Sequence, residues 1–338
     1  MTQETPETIR KTPSNLIELG TNTKVAVVFP GQGLESAGTA TQELYNKPSA
    51  RAIFDKADIL TQQKLGVKIS EICLADPKDE RLKDTRYSQV AQTTVTLARL
   101  TILQKEGLKI DVVTAQSLGY LSAAVLAGFI KPEQAIEIAI ERGEACYKAN
   151  LNRPGTMAAV LGLKSGEETL KRDCEALSTQ NRWVGPSAIN TGNDFVISGD
   201  PVAVDQLLEK INDPSRNNDD RPRKTVPLDF IGYASHNPTH MAYAANRMRA
   251  IWESQKVKAG SILLVLNGKE IKTAEELIDY GSDEVAKVTN YQLTDTYLRQ
   301  KGVTHLIEVC PIDGKGAQTR HTDNMNKGAS HQIETLAW

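Results

Sequence analysis

Neither sign of charge dominates this 338-residue chain: 40 lysines and arginines stand against 42 aspartates and glutamates, a formal charge of -2. A nucleic-acid binder usually carries a basic excess or a dense basic stripe to neutralise phosphates, and no such stripe is present. Long apolar runs are missing too. The longest, Leu118 to Ile130, is broken by Gly119, Tyr120 and Ser122 and falls short of the about 20 apolar residues a bilayer requires. Residues 1–23 lack an apolar h-region and read as a polar leader without a secretory address. Cysteine is scarce: Cys73, Cys146, Cys174 and Cys310 lie far apart, without the paired spacing of zinc or redox sites, so reduced thiols, a cytoplasmic setting and no metal are expected. Internal repeats are absent. What is there, 24% charged and 40% hydrophobic residues, is an ordinary globular composition, long enough for one large domain or a large and a small one.

Lys24 to Phe29 is a β-branched run that ends at Pro30-Gly31-Gln32-Gly33, the pattern of a buried strand entering a glycine loop. Between Pro48 and Glu106 the apolar spacing is helical. Ile110 to Ala115 reads as a second buried strand, followed at once by Gln116-Ser117-Leu118-Gly119 and an Ala/Leu-rich helix. From Gly155 the texture changes to strand (Met157 to Leu163), helix opened by a Ser165/Glu168 capping box, and strands at Val184 to Asn190 and Asp194 to Ser198. A helix after Asp200-Pro201 and a strand from Thr225 to Phe230 complete the run. The order β-α-β-β-α-β is the split ferredoxin-like arrangement. It divides the chain into a large α/β body over 24–154 and 227–317 and an inserted small subdomain over 155–226. Residues 318–338 read as a polar, loosely held C-terminal tail.

Ala115-Gln116-Ser117-Leu118-Gly119 approximates the GxSxG nucleophile elbow, with Ala at the first glycine. Small residues let strand and helix approach closely, so the serine Oγ stands out of a tight turn at a helix N-terminus. A serine beside a glycine is also an ordinary turn; the buried strand before it and the apolar helix after it favour the elbow. A nucleophilic serine needs a base, and the chain has five histidines. His321 and His331 lie in the tail, and His305 sits in a strand pattern that suits a structural imidazole. His236 follows Tyr233-Ala234-Ser235 where the small subdomain returns to the body, a place for a cleft, and is the best base; a capping histidine is the alternative. His240 reads as a solvated neighbour. The backbone N–H of Leu118 and the loop Gly31-Gln32-Gly33 can supply the two donors an oxyanion requires. Arg142 shares a helix face with Ala135, Ile138, Ala139 and Cys146. A charge on an apolar stripe needs an anion: a structural carboxylate from elsewhere in the fold, or a substrate carboxylate gripped bidentately.

FPGQG at Phe29 to Gly33, SLG at Ser117 to Gly119, ERG at Glu141 to Gly143, GTMAAVLGL at Gly155 to Leu163, NTGNDFVISG at Asn190 to Gly199 and SH at Ser235-His236 fall in the order and spacing of the malonyl-CoA:acyl-carrier-protein transacylases. The chain resembles that family, which includes polyketide synthase acyltransferases, over about Lys24 to Gly316. The resemblance implies an α/β-hydrolase-like large subdomain with the ferredoxin-like insertion. It implies that Ser117 is acylated and that His236 is its general base, held by a main-chain carbonyl near Gln292 in place of an acidic triad member. Gln32 and Leu118 would donate backbone N–H groups to the oxyanion, and Arg142 would pair with the malonyl carboxylate. Gln89 and Asn190 would line the site. A ping-pong transfer follows, from a malonyl-type acyl-CoA to the phosphopantetheine thiol of an acyl carrier protein in fatty-acid or polyketide synthesis. It needs no metal or redox cofactor, and the expected protein is a monomer.

The departures are specific. Where the family has GHSxGE, this chain has Ala115, Gln116 and Tyr120, losing the histidine before the serine and the acid after the glycine, so the pocket floor differs at Gln116. The glycine-rich segment after the last body strand becomes Cys310-Pro311-Ile312-Asp313-Gly314. Tyr233-Ala234-Ser235-His236 resembles the YASH pattern that polyketide acyltransferases associate with methylmalonyl units, which makes Tyr233 and Ser235 specificity positions and a substituted malonyl group an alternative. A serine acyl-thioester hydrolase is a second alternative, since the same elbow, base and oxyanion donors serve water. A non-catalytic scaffold that docks carrier proteins is a third. Arg221, Arg223 and Lys224 are candidates for a local basic patch facing an acidic carrier.

Overall fold

The strands that build the body are apolar along their whole length. β1 (Val25–Phe29, VAVVF) and β2 (Val112–Ala115, VVTA) are buried at every position, as suits parallel strands covered on both faces by helices. In the computed structural model, residues 23–32, 40–76, 79–229, 231–310 and 316–338 are described. Leader residues 1–22, Gly33, Phe230 and Pro311 to Gly314 lie outside them. The further strands are β3 (Thr156–Leu161), β4 (Val184–Ile189), β5 (Asp194–Gly199), β6 (Lys224–Pro227), β7 (Leu263–Leu266), β8 (Lys269–Ile271), β9 (Thr289–Asn290), β10 (His305–Glu308) and β11 (Glu334–Ala337). The architecture is mixed α/β with two sheets.

The large sheet has the order β11-β10-β1-β2-β7-β8. Its pairs are parallel except the terminal β7–β8 hairpin. That hairpin turns through Asn267 and Gly268, with φ of 49° and 74°; an Asn-Gly pair with positive φ at both positions suits the twist of a two-residue turn. Strand β8 was not anticipated, because its three residues carry one apolar side chain. Phe29 lies opposite Ala115, so the loops after β1 and β2 leave the same edge of the sheet side by side.

The helix Thr85–Lys105 is buried over most of its length. On the helix Pro132–Asn152, Ala135, Ile138, Ala139, Arg142 and Cys146 are all buried, the face its spacing predicts. These helices meet at Gly143, where a Cβ would fall 2.8 Å from the Thr85 carbonyl oxygen. The missing side chain lets Arg142 come beside Gln89.

The second sheet has the order β6-β3-β5-β4-β9. Strands β3 to β6 and the helices Gly166–Leu177 and Pro201–Asn212 form the βαββαβ run, closed over a core that includes Val160, Leu170, Phe195, Ile197 and Leu207. Strand β9 comes from the body and pairs in parallel with β4, Ala188 opposite Thr289, tying the small sheet to the loop before it. Two local expectations are corrected. Ser165 makes no capping hydrogen bond, and the helix starts at Gly166 with φ of 79°. The strand expected to reach Phe230 ends at Pro227, with one further bond to β3, Leu228 N–H to Met157 O at 3.0 Å.

The loose tail is also corrected. Residues Gln318–Asn326 form a helix, and β11 pairs in parallel with β10 from His305/Glu334 to Glu308/Ala337. Glu308 explains the order. Its fully buried carboxylate accepts from the N–H of Ala317 (3.0 Å) and from both N–H (2.8 Å) and Oγ1 (3.0 Å) of Thr319, satisfying donors that a helix N-terminus leaves open. A polar segment anchored by buried acceptors, Glu308 here and Asp295 for Thr322 Oγ1 at 2.9 Å, has no apolar period to announce it. Among the described residues, no helix is long and apolar enough to cross a membrane.

Candidate active site

After β2 the chain bonds once more to β1, Gln116 N–H to Phe29 O at 3.0 Å, and then turns. Ser117 takes φ of 47°, a left-handed conformation rare for a residue with a side chain, and a tight turn leads into the helix Tyr120–Leu126. Glycines on both sides of this turn permit it. A Cβ on Gly119 would lie 2.4 Å from the Phe29 oxygen and 2.6 Å from that of Pro30, while one on Gly31 would meet Ser117 Cβ at 3.2 Å. The Gly31-Gln32 loop therefore runs against the serine.

His236 also has positive φ, 55°, and its backbone N–H bonds to Val285 O at 2.8 Å. Its ring Nε2 is 2.7 Å from Ser117 Oγ, and its Nδ1 lies 3.0 Å from Glu284 O and 2.9 Å from Lys287 O. Two carbonyls can only accept, so Nδ1 carries the proton and Nε2 is left as the acceptor for the serine hydroxyl. Burial pushes the imidazole pKa below its ordinary value, with the charge of Glu284 and the two carbonyl bonds opposing and Arg142 adding to the fall. A neutral imidazole bonded to a strained serine can draw off its proton.

The carbonyls that hold His236 thus belong to Glu284 and Lys287. The expectation of a carbonyl near Gln292 is corrected: Gln292 is half-buried in the first turn of the helix Tyr291–Gln300. The loop 284–287 is kept in place by its own turn, Lys287 N–H to Glu284 O at 3.2 Å, and by β9 just beyond.

Below the serine runs a chain of polar side chains. Gln32 donates through Nε2 to Ser88 Oγ at 2.9 Å and accepts at Oε1 from Tyr233 OH at 2.8 Å. The same phenol oxygen accepts from Gln89 Nε2 at 3.1 Å. Gln89 Oε1 accepts from Arg142 Nη1 at 2.7 Å, and Arg142 Nη2 pairs with Glu284 Oε2 at 2.9 Å. Of the two partners open for Arg142, the one present is a structural carboxylate. Burial opposes the guanidinium charge, yet Glu284 holds its pKa well above the usual value.

A cavity of about 460 Å³ opens over Ser117 and His236 between the two sheets. Gln116, Asn190, Tyr233 and Ser235 line it, as does Gln32, so these expected positions meet there. Gln89, Arg142 and Glu284 are buried off its wall, joined to it through Tyr233 on the Gln89 side and through His236 on the Glu284 side. Gln116, in place of the family's histidine, donates to Asn190 Oδ1 at 2.8 Å and accepts from Gln318 Nε2, so it links the elbow to both the small subdomain and the C-terminal helix. Tyr120, in place of the acid, is fully buried and accepts from Trp252 Nε1 at 3.2 Å. His240 is buried, 3.6 Å from Asp200, and is not a solvated neighbour.

Sequence reasoning missed Glu284 and the cavity residues Gln318, Arg320 and His321. The signal for Glu284 was Arg142 itself, whose apolar surroundings demanded an anion. Nothing comparable marked the other three. Among the described residues, no cluster of three or more His, Cys, Asp or Glu could hold a metal.

Residues 26–280 match the acyl transferase domain family. The chain is 27% identical over 294 residues, 85% of its length, to the malonyl CoA-acyl carrier protein transacylase of Bacillus subtilis, 87% of which is covered. It is 33% identical over 189 residues to the Staphylococcus aureus (strain MRSA252) protein of the same name, covering 55% of this chain and 58% of that one. Its fold is that of the malonyl-CoA:acyl carrier protein transacylase of Xanthomonas oryzae, with a TM-score of 0.80 at 23% identity over 94% of both chains. Strand–elbow–helix, imidazole and matched span agree, and the chain belongs to the acyl transferase domain family.

Proposed function

We propose that this chain transfers a malonyl-type acyl group from CoA to the phosphopantetheine thiol of an acyl carrier protein through an ester on Ser117. The observation that carries the proposal is the 2.7 Å contact between Ser117 Oγ and His236 Nε2, with Nδ1 facing two main-chain carbonyls. His236 Nε2 takes the hydroxyl proton as Oγ attacks the thioester carbonyl. The tetrahedral oxyanion is met by the N–H groups of Leu118 and Gln32. The C–S bond breaks and the CoA sulfur leaves with the proton from His236. In the second half the carrier thiol gives its proton to His236, its sulfur attacks the ester, and Ser117 leaves with that proton.

The acyl donor and the carrier follow from the similarity to the Bacillus subtilis and Staphylococcus aureus transacylases, together with Arg142, a buried cation behind Tyr233 and Gln89 at the cavity wall. A malonyl carboxylate reaches Arg142 only by sharing it with Glu284 or displacing it. Incubation with malonyl-CoA and intact-mass analysis should show an adduct on Ser117, absent in Ser117→Ala, that passes to holo carrier protein. Release of free malonate at the same rate with and without carrier would make the protein a hydrolase and refute the proposal.

A further inference from the structure

Arg142, the buried cation behind the cavity wall, is already paired with a group of this chain. Arg142 and Glu284 are each about 1% exposed and sit 2.9 Å apart. The pair is incomplete on both sides: Arg142 Nε and Glu284 Oε1 are buried with no hydrogen-bond partner, and Oε1 lies 3.8 Å from His236 Nδ1, beyond hydrogen-bond reach. Only two side chains separate the guanidinium from the cavity, since Tyr233 lines the wall and Gln89 bonds both to its hydroxyl and to Arg142.

An uncharged acyl group on Ser117 leaves this ion pair untouched. A group that ends in a carboxylate does not. It brings a second anion to a dry site with one guanidinium, and carboxylates crowded there repel one another with little solvent to screen them. Arginine has five donors, two of them used by Gln89 and Glu284, so there is room for a third acceptor. What is short is charge.

We infer that Glu284 determines acyl specificity by competing with the free carboxylate of a dicarboxylic acyl group for Arg142, which narrows the advantage of such a group over an uncharged one. This rests on the proposed acylation of Ser117. Glu284 has a separate backbone role, because its carbonyl holds His236 Nδ1. Glu284→Gln keeps that carbonyl and the side-chain shape and removes only the charge.

The test is the rate of Ser117 acylation from malonyl-CoA and from acetyl-CoA, followed by intact mass for wild type and Glu284→Gln. In the variant, the ratio of kcat/KM for malonyl-CoA to that for acetyl-CoA should rise about tenfold or more, mainly through a lower KM for malonyl-CoA, as releasing a charged hydrogen-bond partner implies; a change in His236 basicity, which the Glu284 charge supports, acts on both substrates alike and cancels in the ratio. The gain should vanish in Arg142→Gln/Glu284→Gln. A merely structural role for Glu284 would instead depress both substrates together, and that outcome, or an unchanged ratio with Ser117 still acylated, overturns the inference while leaving the proposed function standing. If Glu284→Gln does not fold, the wild type decides. A malonyl-over-acetyl preference below about a hundredfold supports the competition and one above it overturns it, on the same conversion of energy to ratio. No adduct from either CoA ester on wild type would overturn the proposed function and this inference with it.

Discussion

Gly119→Ala should uncouple the elbow from the sheet, and the structure says by how much. The added Cβ would sit 2.4 Å from Phe29 O, 2.6 Å from Pro30 O and 2.7 Å from Phe29 C, all backbone atoms that no rotamer change can move. Ordinary non-bonded carbon contacts begin at about 3.5 Å, so the end of β1 and the elbow must part by about 1 Å. Phe29 O also accepts the Gln116 N–H, so that bond stretches in the same movement. Overpacking of this kind costs about 1–3 kcal/mol and a weakened buried hydrogen bond adds about 1 kcal/mol. The functional loss should be larger in proportion. A displacement of about 1 Å at a site that depends on the Ser117–His236 contact costs on the order of a hundredfold in rate. Chemical denaturation measures the first effect and time-resolved mass spectrometry of Ser117 acylation the second. Gly66→Ala is the control: Gly66 has φ of 71°, nothing lies within 4 Å of its Cβ position, and it should lose about 1 kcal/mol through backbone strain alone, with acylation unchanged. A Gly119→Ala protein with wild-type stability and an acylation rate within about twofold of wild type would refute the claim that this glycine sets the approach of strand and nucleophile.

Acylation of Ser117 should rise with pH with a midpoint below the ordinary histidine pKa of 6.5, because burial pushes His236 down and it must be neutral to act; a midpoint above 6.5 would show that Glu284 and the carbonyls outweigh burial. Stability follows with the same sign: below 6.5 the unfolded imidazole takes up a proton that the folded one refuses, so the His236 contribution is present at higher pH and lost as pH falls, which acid denaturation of wild type against His236→Gln will read. Glu308→Ala removes the acceptor for Ala317 and Thr319 and should cost about 2 kcal/mol, within the range for a charged cap. It should also slow acylation, because the helix it anchors carries Gln318, Arg320 and His321 to the cavity; unchanged denaturation and kinetics would return that helix to a passive role.

How far the sequence could be read depended on how far apart the interacting groups lie along it. The elbow was legible because strand, serine and glycine occupy eight consecutive residues, Val112 to Gly119, and the small subdomain because each of its elements has its own apolar period. Arg142 is intermediate. Its helix face showed that it would be buried and would need an anion, but the anion stands 142 positions away, in a Ser-Asp-Glu segment that reads as a solvated surface. The groups that orient His236 were less legible still. They are main-chain carbonyls, which every residue possesses, and only the turn from Glu284 to Lys287 aims two of them at one nitrogen. Both unread features converge on Glu284, whose carbonyl holds the base and whose carboxylate holds Arg142. A change at this residue that moves its backbone therefore misplaces the imidazole, whereas one that alters only its charge frees Arg142 and lowers the basicity of His236 without moving it. For that reason Glu284→Gln and Glu284→Pro should fail differently, the first in which acyl group is taken and the second in whether any is.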